Sequence, residues 1–500
     1  MTKKEIFAST KPFLHTLLFF GLSTLPLLIA YCFHIVGSYS FDNDFGRDLV
    51  DIFAITRGDI TLLGPKLSFG GLHTGPFYYY LFTPVLWLFP NRPEALLYAN
   101  AVLTWIPLVL LGSIWRKIEK WSLPVTILAL YWIGLSNYLL FSARGPGNAF
   151  SYIGWLVLLI GVYPRIWKHS SKILWGLYGL FWGVVVNFHL VVLFIAAPLL
   201  GLLALSALHR NKRGFFKSLL KPLFLTSGFI ASFAPLLLFE LTHNFVMIRN
   251  TFVDKSYVAF TDNTNLINPL QTSTNPFTNF WLFTAQAGEW LQPSLTAPLI
   301  LSTVLTVLYW KKLSGAVRAL AASLILSLAL VAVVATSQLA FHYFFPFIIL
   351  AQIALIWLVA KKSFGVWLIG AEVLFSIIYF PVQWYGISPR PIESFRTTVE
   401  DVAASDMAGE LAAHPFAVYV TRETPLAPIG SEYRYFLLTH GLKSVDPSAY
   451  SQAERLIWFA EQPLTTIENV SSWELDQFGP RRLINQRQTQ GRTVYLFERQ

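Results

Sequence analysis

Long apolar runs recur between residues 13 and 381, and they constrain the fold more than any other feature of this chain. Only 13% of the residues are charged and the mean hydropathy is +0.52, whereas soluble domains carry about 25% charged residues. Because a helix needs about 20 apolar residues to cross a bilayer, a polytopic α-helical membrane protein with about 11 spanning helices is predicted. The runs lie at 13–36, 96–114, 122–141, 149–163, 173–188, 190–208, 222–240, 296–310, 319–336, 345–360 and 364–381.

Basic residues between the runs predict the orientation. If Phe77 to Phe89 lies on the membrane as an interfacial helix rather than crossing it, all the basic clusters fall on one side, which the positive-inside rule makes cytoplasmic. The net charge of +10 is then an orientation signal, and nucleic acid is not expected as a partner. The clusters are Arg116/Lys117/Lys120, Arg165/Lys168/Lys172, Arg210/Lys212/Arg213/Lys217/Lys221, Lys311/Lys312/Arg318 and Lys361/Lys362.

The same orientation places the candidate site residues outside. The chain is predicted to be a multi-pass protein of the plasma (inner) membrane with a cytoplasmic N-terminus. The loops 37–95, 142–148, 187–189, 241–295 and 337–344, with everything after about residue 382, then face the extracytoplasmic side.

The chain turns polar from about Pro389 onward, and no spanning run follows. Phe416–Val420 and Thr493–Phe497 are interpreted as short strands, while Ser431–His440 and Ser451–Ala460 are interpreted as helices. The sequence therefore predicts a membrane domain at 1–388, whose first outer loop is 37–95, and a small extracytoplasmic α/β domain at 389–500.

The first outer loop opens with Phe41-Asp42-Asn43-Asp44-Phe45-Gly46-Arg47-Asp48, and Asp51 follows. Carboxylates at the mouth of a membrane helix are costly to bury unless a site uses them. Solvated loop carboxylates are the ordinary alternative. Arg47 and Asp48 favour a site, because neighbouring charges tune a carboxylate as a base.

Asp42-Asn43-Asp44 also matches the D-x-D pattern that holds a metal and a nucleotide diphosphate in soluble sugar transferases. Nucleotide sugars are cytoplasmic, whereas this loop is predicted to face outward, so this alternative is disfavoured. His73 stands alone among possible ligands, and no metal or other cofactor is implied.

Other polar residues of the outer loops could bind a ligand or have only a structural or solvated role. Arg144 follows an apolar run, where a guanidinium grips phosphate or snorkels to the interface. Asn187, His189 and His342 suit either structural hydrogen bonds or ligand binding. Arg249 and Lys255 lie in a long loop, where they are solvated or attract a lipid phosphate.

These motifs together resemble the membrane-embedded GT-C superfamily of glycosyltransferases, in particular the bacterial branch similar to protein mannosyltransferases and lipid A aminoarabinose transferases. The resemblance covers roughly residues 13–381. It rests on the acidic first loop Phe41–Asp48 and on later motifs: Leu63-Gly64-Pro65, Gly75-Pro76-Phe77-Tyr78-Tyr79-Tyr80, Ser142 to Asn148, Asn187-Phe188-His189, and His342-Tyr343 with Pro346.

The resemblance implies a hexosyl- or pentosyltransferase of the cell envelope. Such enzymes pass a sugar, with inversion, from a polyprenyl-phosphate carrier to a lipid, glycan or protein acceptor. It implies that Asp44 is the catalytic base, with Asp42 second; the chain has Asp44-Phe45 where some branches carry an Asp-Glu pair. The expected donor-phosphate ligands are Arg144, Lys255, Arg249 and His342, and the expected substrate-binding residues are Arg47, Asp48, His73, Tyr78, Asn148 and His189.

Two other classes fit the hydropathy. A transporter or flippase of lipid-linked sugars would more typically carry ionisable residues at helix midpoints or interrupted helices in paired halves. A non-catalytic membrane scaffold is the third class. Neither accounts for polar candidates that converge on one face beside an acidic, glycine-rich loop.

Overall fold

The structure is a computed structural model, and it describes most of the 500-residue chain. The described residues are 3–67, 72–169, 171–210, 215–253, 300, 304, 305, 307–334, 341–421, 429–461, 470, 472–489 and 491–500.

Helices predominate among the described residues, as the sequence predicts. They are numbered here in chain order. Their bounds are α1 Lys3–Ser23, α2 Leu25–Cys32, α3 Ile35–Ser38, α4 Asn43–Thr56, α5 Phe77–Leu88, α6 Glu94–Lys117, α7 Leu123–Gly134, α8 Asn137–Arg144, α9 Ile153–Lys168, α10 Lys172–Phe188, α11 Leu193–Arg210, α12 Phe215–Ala231, α13 Ala234–Thr242, α14 Val246–Phe252, α15 Gly315–Val334, α16 Phe345–Val359, α17 Gly365–Ile378, α18 Ile392–Ala403, α19 Met407–Ala413, α20 Ser431–Thr439 and α21 Trp473–Phe478.

Within the described ranges, three helices are long and apolar enough to cross a membrane, or up to six if each of three bent pairs counts as one span. The single spans are Glu94–Lys117, Leu190–His209 and His342–Val359, and the bent pairs are α1 with α2, α7 with α8 and α12 with α13. The predicted number of spans is not confirmed.

The bends interrupt runs that look continuous in the sequence. The pairs bend by 46°, 62° and 58°, respectively. Pro26 and Pro235 stand at the second positions of α2 and α13. Neither has the backbone N–H that would continue the hydrogen bonds of the preceding helix. An unbroken apolar run therefore does not predict an unbroken helix here.

One compact unit comprises Met1–Phe33, Thr61–Tyr78 and Tyr98–Val382. Helix α16 is buried along nearly its whole length, as expected for a helix that is apolar all round. Its one polar side chain, Gln352, is satisfied, because it accepts from the Tyr138 hydroxyl and donates to Ser136 Oγ at 3.0 Å. The core of this unit thus runs through α16.

The other compact unit comprises His34–Ile60, Tyr79–Leu97 and Gln383–Gln500. Its four-stranded sheet has the order β1-β2-β4-β3. The strands are β1 Phe416–Thr421, β2 Arg455–Ala460, β3 Arg481–Thr489 and β4 Arg492–Arg499. Strands β1 and β2 pair in parallel, with Phe416 opposite Arg455, and the other two pairings are antiparallel.

The helix predicted over Ser451–Ala460 is wrong. Residues Pro447–Gln452 form a 3₁₀ turn, and Arg455–Ala460 is the second strand of the sheet. The strand lies between β1 and β4 and is covered on both faces, so Leu456 to Ala460 are all buried. A strand covered on both faces has a continuous apolar run, which periodicity cannot distinguish from a buried helix.

The acidic part of the first outer loop forms helix α4, Asn43–Thr56. This helix lies in the unit that holds the C-terminal sheet. Residues His34–Ile60 and Tyr79–Leu97 are grouped there, whereas Thr61–Tyr78 is grouped with the apolar helices. The sequence assigned all of 37–95 to the membrane domain. The predicted domain limit at residues 388 and 389 stays a prediction.

Candidate functional site

Helix α4 carries the acidic residues, and its start is fixed by the sequence. Asp42 caps the helix, because its Oδ1 accepts from the Phe45 N–H at 2.8 Å. The apolar side chains of the helix recur at helical spacing and are buried on one face. They are Phe45, Leu49, Ile52 and Phe53. The carboxylates therefore lie on a helix whose apolar face is anchored.

Arg47 links an exposed carboxylate to a buried one. Its Nη1 donates to Asp44 at 3.0 Å, while its Nε and Nη2 donate to Asp48 at 3.1 and 2.8 Å. The Asp44 side chain is 79% exposed and Asp48 is 1% exposed. The Tyr79 hydroxyl lies 3.3 Å from Asp48 and donates to Asp51 at 2.8 Å. Asp44 is thus held by Arg47 and yet exposed.

The surroundings of Asp48 and Asp42 raise the pKa of each carboxyl. Burial raises the pKa of Asp48 to about 7, with Asp44 and Asp51 adding to the rise and Arg47 opposing it. The loss of water around Asp42 raises the pKa of that carboxyl, the Phe45 N–H lowers it, and Asp44 and Glu432 raise it further. Because Asp42 is exposed, bulk water limits this shift.

A second group of predicted residues meets in the unit of apolar helices. His189 and His342 lie edge to face at 5.4 Å between ring centroids, and Tyr343 and Tyr152 flank His189 at 5.0 and 6.2 Å. Asn148 Nδ2 donates at 3.1 Å to the carbonyl of Phe188, which precedes His189. The structure therefore brings Asn148, His189 and His342 together.

The segment Thr61–Tyr78 approaches the same helices. Its His73 lies 2.9 Å, through Nδ1, from the Gly64 carbonyl, and this contact holds the loop together. A Cβ on Gly75 would lie 2.0 Å from Asn187 Oδ1, so glycine allows the loop to reach Asn187. Tyr78 is buried, with its ring 6.0 Å from that of Phe188.

The predicted phosphate ligands have different surroundings. Arg144 is buried, and its Nη1 donates to the carbonyls of Ala30, Tyr31 and Phe33 at 3.2, 3.2 and 2.9 Å. These carbonyls lie at the C-terminal end of α2, where a cation is favourable. Arg249 is exposed on the short helix α14, and Lys255 lies outside the described residues. Their phosphate-binding roles stay predictions.

We expect the Arg144→Ala variant to lower the melting temperature. A hydrogen bond from a charged donor contributes about 1.5–3 kcal/mol, and Arg144 donates to three carbonyls. Thermal unfolding in detergent measures the loss, with Arg144→Lys, which keeps the charge, as the control. An Arg144→Ala protein as stable as wild type would show that these three hydrogen bonds do not stabilise the fold.

Among the residues that the structure describes, no group of three or more His, Cys, Asp or Glu side chains is placed to hold a metal ion. The sequence did not predict the hydrogen bond of Tyr79 to Asp51, the place of Tyr152 beside His189, or the contact of Asn43 with Ser431. Asn43 and Ser431 are 388 positions apart, so no local pattern could reveal their contact.

No protein-family model matches this chain, and no curated protein matches its sequence. Solved structures do match its fold. The apo crystal structure of ArnT from Cupriavidus metallidurans gives a TM-score of 0.53 at 12% identity, over 96% of this chain and 97% of that one. The structure of ArnT bound to undecaprenyl phosphate gives 0.51 at 12% identity, over 95% and 97%.

The likeness extends over nearly the full length of both chains, so it includes the apolar helices and the C-terminal region alike. ArnT is an aminoarabinose transferase of the GT-C superfamily. The fold that the resemblance implied is therefore confirmed: the chain has the fold of ArnT.

Proposed function

We propose that this protein is an inverting glycosyltransferase that moves a sugar from a polyprenyl-phosphate carrier to an acceptor hydroxyl or amine on the outer face of the membrane. The observation that carries the proposal is the exposed Asp44 carboxylate, held by Arg47 in a chain with the ArnT fold. One ArnT structure contains undecaprenyl phosphate, which supports a carrier of this class.

The acidic helix supplies the base in this proposal. As the acceptor attacks the anomeric carbon, its proton passes to Asp44, and the bond from that carbon to the phosphate oxygen breaks with its electrons leaving on the phosphate. Arg47 holds the Asp44 side chain at 3.0 Å and so limits its rotamers. Asp42 is the second candidate, because one of its oxygens already caps α4.

Cationic side chains, or a neutral imidazole that donates a hydrogen bond, would stabilise the departing phosphate. Arg144, Lys255, Arg249 and His342 are the candidates. Substrate-binding roles are proposed for His73, Tyr78, Asn148 and His189 and, separately, for Arg47 and Asp48. Neither a metal nor another cofactor is proposed to take part.

A flippase or transporter of lipid-linked sugars is the second candidate. Glu372 lies inside the apolar helix α17 and is buried, and an ionisable residue within a membrane helix is a typical feature of transporters. Such a protein would move the carrier without breaking the bond between sugar and phosphate. Product analysis therefore distinguishes the two candidates.

The experiment that tests the proposal uses membranes that contain the protein and a panel of radiolabelled polyprenyl-phosphate sugars. We expect one sugar to appear on an acceptor, which also identifies the acceptor as lipid, glycan or protein. Membranes with the Asp44→Asn variant are the control. Sugar that stays on its carrier in both membranes would contradict the proposal and favour the flippase.

The proposed topology puts about 11 spans in the plasma (inner) membrane, the N-terminus in the cytoplasm and residues 389–500 outside. After Cys32→Ser removes the only native cysteine, we expect Asp59→Cys and Ser451→Cys to react with an impermeant thiol reagent in intact cells. Lys311→Cys should react only after the membrane is opened. Labelling of Lys311→Cys alone in intact cells would invert the topology.

A further inference from the structure

The start of the acidic helix α4 caps another helix of the same unit. Helix α20 begins after Gly430, which has φ +61° and no side chain with which to cap the helix. The Ser431 N–H donates instead to Asn43 Oδ1 at 3.1 Å. Asp42 and Asn43 therefore cap two different helices, their own α4 and the distant α20.

Gly46 brings the backbones of these two helices into contact. A Cβ at this position would lie 2.5 Å from the Glu432 backbone nitrogen and 2.7 Å from the Ser431 carbonyl carbon. Backbone atoms in a helix cannot move aside as a flexible side chain can, so any larger residue must separate α4 from α20. The pairing of α4 and α20 thus depends on glycine.

The chain just before Asp42 is held by the same region. The Phe41 N–H donates to the Arg390 carbonyl at 2.9 Å, and the Phe41 ring contacts Phe395 and Phe436 at 5.2 and 6.0 Å between centroids. The Arg390 guanidinium also binds the fully buried Glu432 of α20 at 3.0 Å. Both sides of the Asp42–Asp44 segment are therefore fixed to the C-terminal part of the chain.

We propose that α20 positions the acidic helix for catalysis, and that Asn43 and Gly46 are positioning residues for the Asp44 and Asp42 carboxylates. This inference rests on the proposed transferase function. A general base must stand within hydrogen-bond reach of the proton that it removes, and a displacement of about 1 Å can cost on the order of a hundredfold in rate. The C-terminal region is then an integral part of the catalytic apparatus.

The test compares Gly46→Ala with Gly409→Ala in the full-length protein. Both glycines are helical, but a Cβ on Gly409 meets no atom within 4 Å. We expect Gly46→Ala to lower kcat on the order of tenfold or more, with KM for the polyprenyl-phosphate sugar unchanged within about twofold. Gly409→Ala should keep both constants. A Gly46→Ala protein with wild-type kcat, or one whose loss lies entirely in KM, would overturn the proposal.

A second measurement does not depend on transferase activity. Hydrogen exchange should become faster at the first amides of α20 in Asn43→Ala and stay unchanged in Gly409→Ala, because only Asn43→Ala removes the acceptor of the Ser431 N–H. Unchanged exchange in Asn43→Ala would overturn the capping contact. If wild type transfers no sugar but exchange responds as expected, the proposed function fails while the contact between the helices stands.

Discussion

The Asp44→Asn variant should insert and fold normally and lose sugar transfer. The amide keeps the size of the side chain and an oxygen that accepts from Arg47, but it cannot take the proton of the acceptor. Loss of a positioned base costs on the order of a hundredfold or more in rate. Because the Asp44 side chain is 79% exposed, its replacement should leave the melting temperature nearly unchanged. Turnover and thermal unfolding of the purified variant measure the two effects.

Asp59→Asn is the matched control for this prediction. Asp59 is also an exposed carboxylate, and it follows the C-terminal end of α4. It should keep wild-type turnover. A folded Asp44→Asn protein with wild-type turnover would remove Asp44 from the role of base and favour Asp42, the other exposed carboxylate at the start of the helix.

The acidic segment could be predicted from the sequence because its signal is local. Asp42, Asp44, Arg47 and Asp48 stand within seven positions, so their spacing alone marks a charged cluster. Their division into exposed Asp44 and buried Asp48 could not be predicted. It depends on which face of α4 packs against the rest of its unit.

Helix content and the strands at Phe416–Val420 and Thr493–Phe497 could be predicted from the sequence, whereas the helix breaks and the strand Arg455–Ala460 could not. The run 222–240 contains a 58° bend between α12 and α13. The segment Arg455–Ala460 forms a strand because β1 and β4 flank it. Contacts with residues elsewhere in the chain decide the strand, where tertiary packing overrides local propensity. The bend lies at Pro235, which interrupts the helix inside the apolar run.

The contact between α4 and α20 could not be predicted from the sequence either. Neither Asn43 nor Gly46 has a sequence pattern that points to Ser431 or Glu432, which lie more than 380 positions away. A glycine within a helix is by itself only a mild cost to stability. Its close approach to the Glu432 backbone gives Gly46 its proposed role.

We expect the donor to be a lipid-linked sugar rather than a nucleotide sugar. If the acidic helix faces outward, it lies in a compartment without nucleotide sugars, so a membrane-bound carrier must deliver the sugar. The apolar helix α5 ends in the exposed residues Trp87 and Leu88, followed by Phe89, and such a surface suits a polyprenyl chain. A nucleotide sugar has no apolar chain that could bind this surface.

The most direct measurement compares two donor substrates that carry the same sugar, each supplied to the purified protein. The radiolabelled sugar is supplied either on polyprenyl phosphate or on a nucleoside diphosphate, with the acceptor identified in membranes and with Asp44→Asn as the blank. The account predicts labelled acceptor from the polyprenyl-phosphate sugar, at a rate on the order of a hundredfold or more above the blank, and none from the nucleotide sugar. Labelled acceptor from the nucleotide sugar in the absence of any lipid carrier would contradict the lipid-donor assignment and restore the Asp42-Asn43-Asp44 metal and nucleotide hypothesis.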